Sequence, residues 1–161
     1  LDEEEYELAD VEMGRPVERY SYELGVMECF CEMVAGGLKR LAMSHPCDTR
    51  EERDSYREAV EVLCRRYGVC FYGEDEAFLT DLFPEELNKG KYNYLFYRTE
   101  ETLEAYLSLK KEQARMKEEG SYEGENRRRI AEEFGRLLSY PEEGIQRYIE
   151  RTVGEGFTKN S

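Results

Sequence analysis

The chain has 161 residues, of which 37% are charged, and a formal net charge of −14 at pH 7. Phosphate binding depends on a surface rich in lysine and arginine, so this charge argues against nucleic acid and anionic membranes as partners. No apolar run reaches the roughly 18 residues that a membrane span needs, and the length is sufficient for one domain with its own core.

Nearly all of the acidic residues are glutamate, which forms helices better than aspartate and therefore favours a mostly helical protein. A surface rich in glutamate and arginine is also typical of thermophilic proteins. The five cysteines are an odd number and too sparse for a disulfide scaffold. We therefore expect reduced thiols and a cytoplasmic protein.

The distribution of charge and of turn residues predicts the domain organisation. Residues 1–14 contain many acidic residues and no basic residue, which predicts a flexible acidic tail. Residues 15–153 are expected to form a single globular domain, with 120–124 as an alternative internal boundary. Residues 154–161 are expected to fray.

The segment 17–43 is predicted to be one long helix around which the rest of the chain is organised. Its apolar residues recur at steps of three and four, which places them on one stripe of a helix. The stripe consists of Val17, Tyr20, Leu24, Met27, Cys31, Val34, Leu38 and Leu41. A second apolar set on roughly the opposite side consists of Tyr22, Val26, Phe30 and Met33. A helix that is apolar on two sides is normally central, with other elements packed around it.

The residues after this helix predict further helices and a small sheet. Thr49 and Glu52 have the spacing of a capping box, and Gly68 is expected to end the helix that they begin. The other predicted elements are strands at 69–72 and 92–98 and helices at 74–83, 99–119, 126–138 and 142–153. The fold class is therefore α+β and predominantly helical, with a central long helix surrounded by helices and a small two- or three-stranded sheet.

From the spacing of the cysteines and the histidine we expect no metal site, with no stoichiometric zinc or iron, and no other cofactor. Cys29 and Cys31 are two residues apart on a helix, so they point in different directions and cannot hold one ion together. Cys64 and Cys70 could approach the loop 45–47 only through tertiary folding. The sequence has no CxxC and no HExxH motif.

An enzyme is not favoured by the sequence. Cysteine nucleophiles need a thiol close to a base, and His45, the only histidine, lies two residues from Cys47. We interpret this pair as chance proximity in a loop. No GxSxG motif is present for serine hydrolase chemistry.

Glu23 is the most unusual polar residue, because it projects between the two apolar faces of the predicted helix. A charged side chain is costly there unless it is paired, and Arg19, one turn earlier, is the expected partner. The alternative is that Glu23 belongs to a functional cavity. Because the chain has 13 tyrosines, several in the strand region, that cavity would be lined by tyrosine. Its predicted ligand-binding residues are Glu23, Arg19, Tyr72 and Tyr94.

The run GRLLSYPEEGI at 135–145 resembles the "LLGYPxCC" segment of an uncharacterised, largely archaeal protein family of unknown function. Ser139 stands where that segment has glycine, and Glu143 and Gly144 stand where it has paired cysteines. The resemblance implies an archaeal origin. It implies no thiol or metal role, since the paired cysteines are replaced.

Together these observations predict a non-catalytic interaction or accessory protein that self-associates as a homodimer. We expect the interface to include an apolar face of the long helix or the Tyr-rich strand beside it. The alternative is a small-molecule-binding protein or an enzyme with a Tyr-lined pocket that contains Glu23.

Overall fold

The computed structural model describes the backbone of residues 12–159 and the side chains of residues 12–154. The elements in chain order are α1 Arg19–Ala35, β1 Leu41–Met43, α2 Arg50–Asp54, α3 Arg57–Tyr67, β2 Cys70–Glu74, α4 Glu85–Asn88, β3 Asn93–Tyr97, α5 Glu100–Glu119, α6 Gly124–Leu137 and α7 Glu142–Lys159. These helices, together with one small antiparallel sheet, confirm the predicted α+β, predominantly helical class.

The strand β3 is the middle strand of the sheet, whose order is β1-β3-β2 with both pairings antiparallel. All five of its residues are buried. Successive side chains of a strand point to opposite faces, so Leu95 and Tyr97 enter one core cluster, whereas Tyr94 and Phe96 enter another. The strand predicted at 92–98 is therefore confirmed. Its aromatic residues pack into the cores on both faces of the sheet.

Helices cover both faces of this sheet. The helices α5, α6 and α7 form one layer, whose buried residues include Tyr106, Ile130, Phe134 and Ile145. The helices α1 and α3 form the other layer, whose buried residues include Met27, Val34, Val60 and Leu63. The sheet thus separates two apolar cores.

The first helix is shorter than the predicted helix over 17–43. It ends at Ala35, and Gly37 then takes a φ of 78°, a backbone conformation that glycine adopts at low cost. Leu41 and Ala42 lie in β1, so they enter opposite cores, and Leu38 is 74% exposed. The prediction of helix for 38–43 is wrong because the three- and four-residue spacing of leucines continued past the glycines by coincidence.

Two other helix predictions differ from the structure. The predicted helix from Thr49 begins as expected, since the Thr49 hydroxyl accepts a hydrogen bond from the Glu52 N–H at 3.1 Å, but it breaks into α2 and α3. The helix predicted over 74–83 is wrong. Its first residue, Glu74, ends β2, and its carboxylate accepts hydrogen bonds from the Tyr106 hydroxyl at 2.6 Å and from Lys110 at 3.0 Å.

The alternative boundary at 120–124 lies in a turn between two helices that pack into the same core. Met116 of α5 and Ile130 of α6 both belong to the cluster on that face of the sheet. The helix α7 continues to Lys159, beyond the predicted end at 153. The acidic tail predicted for 1–14 falls almost entirely outside the described residues, as do positions 160 and 161.

Ser139 joins α6 to α7 in a left-handed conformation, with a φ of 64°. A residue other than glycine adopts this conformation at a cost of roughly 1–2 kcal/mol. The Ser139 hydroxyl accepts a hydrogen bond from the Arg40 N–H at 2.8 Å, which ties this turn to the segment before β1. The "LLGYP" segment described above has glycine at this position.

We expect Val34→Asp to destabilise the fold by roughly 3–5 kcal/mol, because it places an unpaired charge in a core position. Val34 is 1% exposed, whereas Val62 on α3 is 44% exposed. Val62→Asp is therefore the matched control, with an expected change below about 1 kcal/mol. Urea unfolding measures both, and equal midpoints would show that the inner face of α1 is not buried.

We expect Gly135→Ala to lower stability by roughly 1–3 kcal/mol through overpacking between α6 and α7. A Cβ atom at Gly135 would lie 2.7 Å from Cγ1 and 2.9 Å from Cδ1 of Ile145. At Gly25 in α1 nothing lies within 4 Å of such an atom. Gly25→Ala should therefore raise stability by about 0.5–1 kcal/mol, through its helix propensity alone. Thermal melting that shifts both variants in the same direction would contradict this prediction.

Candidate functional site

Glu23 is buried on the inner face of α1, with 2% of its surface exposed. Its Oε2 atom lies 3.2 Å from Nδ1 of His45, and the two side chains are only 3% and 7% exposed. His45 is thus a contact of Glu23 that the sequence did not predict. The expected partner, Arg19, lies with its guanidinium 3.2 Å from the carboxylate of Glu52.

His45 also contacts a thiol on its other side. Nε2 of His45 lies 3.4 Å from Sγ of Cys47. Because a carboxylate only accepts hydrogen bonds, Glu23 favours the tautomer that carries its proton on Nδ1 and leaves a lone pair on Nε2. A carboxylate, an imidazole and a thiol therefore lie in a row, the order in which a base and its orienting group activate a cysteine.

The loop 44–47 is held against the central strand, which fixes the position of His45. The Ser44 N–H donates to the carbonyl of Tyr94 at 2.9 Å, and the Ser44 hydroxyl accepts from the Tyr94 N–H at 2.8 Å. Cys47 and Tyr92 exchange two backbone hydrogen bonds of 2.8 and 2.9 Å. His45 therefore lies between two anchored residues.

Two tyrosines cover the cluster. The ring of Tyr56 meets the imidazole of His45 edge-on, at a centroid distance of 5.2 Å. Tyr20 stacks on Tyr56 at a centroid distance of 5.0 Å, with an angle of 10° between the ring planes. This aromatic cover accounts for the low exposure of the imidazole.

The electrostatic environment keeps the thiol protonated. Burial, together with the nearby carboxylate of Glu52, raises the pKa of Cys47 to about 12. Burial also lowers the pKa of His45, which the negative charge of Glu23 partly offsets. At neutral pH the pair is therefore a thiol beside a neutral imidazole. A reactive cysteine needs a thiolate, which this environment disfavours.

The same groups form a candidate metal centre. Among the described residues, ligand atoms of His45, Cys47 and Glu52 all lie within 4.8 Å of one another. The sequence did not predict this set, because local spacing within 45–47 supplies only two ligands and Glu52 comes from α2. The sequence does contain one signal for this site. His45-x-Cys47 forms a loop, and Glu52 follows in the first turn of the next helix.

The structure does not bring together the four predicted ligand-binding residues. Glu23, Arg19 and Tyr94 lie on the side of the sheet covered by α1, where the Tyr94 hydroxyl donates to the carbonyl of Arg53 at 3.0 Å. Tyr72 packs against the core on the opposite face. Tyr72 and Glu23 therefore cannot line one pocket in this fold.

Arg53 is a buried charged residue that no pattern in the sequence predicted. Its Nη1 donates to the carbonyl of Glu74 at 3.0 Å, and its Nη2 donates to Asp75 at 2.8 Å. A Cβ atom at Gly73 would lie 3.3 Å from Nη1, so the glycine makes room for the guanidinium. Because its donors pair with the end of β2, we assign Arg53 a structural role.

A cavity of about 410 Å³ opens on the other side of the molecule, beside α5, α6 and α7. Its lining includes Asp81, Tyr122 and Arg127. Arg127 donates two hydrogen bonds, of 2.7 and 2.8 Å, to the carboxylate of Asp81. These two charges therefore satisfy each other, and the pair does not indicate a ligand.

Comparisons of the chain with protein-family models, with curated proteins and with solved structures find no match. Within the described residues, no helix combines the length and the apolar character needed to cross a membrane.

We expect alkylation of the native protein at neutral pH to modify Cys29 and Cys70 and to leave Cys47 unmodified. Cys29 and Cys70 are exposed, whereas the other three thiols are buried. Mass spectrometry of peptides after iodoacetamide treatment measures this, with urea-unfolded protein as the control in which all five thiols react. Labelling of Cys47 at the rate of Cys29 would show that the cluster opens readily.

Proposed function

We propose that this protein is a non-catalytic interaction protein that forms a homodimer through the outer face of α1. The observation that supports this proposal is a row of apolar side chains on a helix whose opposite face is fully occupied by the core. We call this row the outer stripe. It consists of Tyr22, Val26, Cys29, Phe30 and Met33.

Part of the outer stripe is exposed to solvent. Tyr22 is 40% and Met33 is 39% exposed, Cys29 is exposed, and the other two members are partly buried. The spacing of three and four residues places all five on one flank of the helix. The helix itself packs on α3, β1 and β3. Within the stripe, Phe30 also packs against the edge of that core, so the exposed members are Tyr22, Cys29 and Met33. Contiguous exposed apolar surface is typical of interaction sites.

The stripe continues beyond the end of α1. Leu38 is 74% exposed, and the Lys39 ammonium lies 6.0 Å from the ring of Phe30 and 4.8 Å from the ring of Tyr140. Lys39 also donates to the carbonyl of Leu138 at 2.8 Å, which fixes it beside the stripe. The apolar surface is therefore larger than one helix face.

A second copy of the chain is the partner that suits this surface. A two-fold axis brings identical patches together, so an apolar stripe meets an apolar stripe and the carboxylates beside it, such as Glu32, remain in water. The stripe spans 12 residues, or about 17 Å of helix, which is short for a stable interface. We therefore expect a dimer that dissociates in the micromolar range.

The environment of Cys47 supports a non-catalytic role. Its thiol is 1% exposed, and its pKa of about 12 leaves little thiolate at neutral pH. An enzyme that used the only histidine would have to work through this covered pair.

We expect light scattering to give a dimer mass at tens of micromolar protein and physiological salt, and a lower mass at low salt. The net charge of −14 on each copy opposes association, and salt screens this repulsion. A monomer mass at both salt concentrations would contradict the proposal.

Tyr22→Glu combined with Met33→Glu should produce a monomer, because the pair adds charge to both ends of the stripe. The matched control is Leu87→Glu combined with Val153→Glu, which adds the same charge at exposed apolar positions outside the stripe. If the control pair dissociates the dimer equally, net charge rather than the stripe governs assembly.

A further inference from the structure

We propose that His45, Cys47 and Glu52 bind one divalent transition-metal ion such as Zn²⁺. We also propose that Glu23, which lies beside Nδ1 of His45, orients the imidazole ring. The proposal is independent of self-association. It departs from the expectation, based on local spacing, that the chain has no metal site.

The distances between the ligand atoms suit a tetrahedral ion. Nε2 of His45 and Sγ of Cys47 are 3.4 Å apart. Zinc bonds of about 2.3 Å to sulfur and about 2.0 Å to nitrogen, at a tetrahedral angle, require a separation of about 3.5 Å. A carboxylate oxygen of Glu52 completes the set, within 4.8 Å of the sulfur of Cys47 and of a ring nitrogen of His45. Mixed sulfur, nitrogen and oxygen ligands favour zinc or cobalt over magnesium or calcium.

Glu23 supplies the second observation. Metal-bound histidines usually donate their other ring N–H to a carboxylate, which fixes the tautomer and the ring orientation. Nδ1 of His45 is buried, makes no hydrogen bond to the described residues, and lies 3.2 Å from Oε2 of Glu23. The carboxylate is close enough to favour the proton on Nδ1 through its charge, which leaves the lone pair of Nε2, 3.4 Å from Sγ of Cys47, for a metal ion.

The charges of the cluster are balanced by a divalent ion. Glu23 and Glu52 carry one negative charge each, and the Arg19 guanidinium, 3.2 Å from Glu52, carries one positive charge. When the ion binds, the thiol proton of Cys47 passes to solvent and a sulfur–metal bond replaces the sulfur–hydrogen bond. The thiolate brings the net charge of these four side chains to −2, which the cation neutralises.

The site is closed toward the core and open at Glu52. Tyr56 covers the imidazole, and Cys47 is 1% exposed. The Glu52 side chain is 28% exposed, so a hydrated ion can reach the cluster from its side. Three protein ligands leave one coordination position for water or for another ligand.

The test is titration of the metal-free protein of 161 residues with Co²⁺, followed by competition with Zn²⁺. We expect saturation at one equivalent, with a thiolate-to-cobalt charge-transfer band in the near ultraviolet that Zn²⁺ removes. Cys47→Ser should abolish the band, and Cys29→Ser, which alters an exposed thiol, should leave it unchanged. Absence of saturable binding, or a band that survives Cys47→Ser, would overturn the proposal.

Two further variants keep the test decisive if Cys47→Ser does not fold. Glu52→Gln changes a partly exposed ligand and should weaken Co²⁺ binding at least about tenfold, since changing even the partners of metal ligands has an effect of that size. Glu23→Gln should weaken it by about 10–100-fold while the charge-transfer band persists, because its effect passes through His45. Wild-type affinity in both variants would show that the cobalt binds elsewhere.

Discussion

Burial of β3 on both faces is the constraint on which the remainder of the structure depends. A strand with aromatic and aliphatic side chains on alternate sides needs a helical layer on each face, and the chain supplies one from its first half and one from its second half. Tyr94 shows how polar groups adapt to this constraint: its ring is buried among apolar residues, while its hydroxyl reaches the carbonyl of Arg53. The loop that carries His45 is fixed because it pairs with the same strand.

The sequence predicted most helices and the central strand because each of these elements has a local signal. The fold class followed from those elements. Thr49, Gly68 and the aromatic run of β3 act within a few residues, and the structure follows them. The prediction was wrong where tertiary pairing overrode periodicity. Leu41 continues a helical spacing, yet it lies in a strand because β3 provides backbone partners for it. Leu41 pairs with Tyr97. Periodicity and spacing describe neighbouring residues and contain no information about a pairing between residues so far apart in the chain.

The candidate site shows the same limit. Glu23 was identified from its place among apolar residues, which is a local pattern, but its contact with His45 joins a helix to a loop that follows β1. Glu52 belongs to a third element. The only part of the cluster visible in the sequence was the His-x-Cys pair, and two ligands do not define a metal centre. Folding, rather than spacing, assembles this cluster, and α1 connects it to the outer stripe on its other flank.

The order of the strands in the chain has a consequence for synthesis of the protein. The middle strand of the sheet is the last of the three to leave the ribosome, so β1 and β2 have no partner until residue 97 has been made. Until then α1 and α3 lack the surface that buries their inner faces, and two strand edges remain open to other chains. The first half of this protein is therefore open to misassembly during translation until β3 pairs with one edge of β1 and one edge of β2.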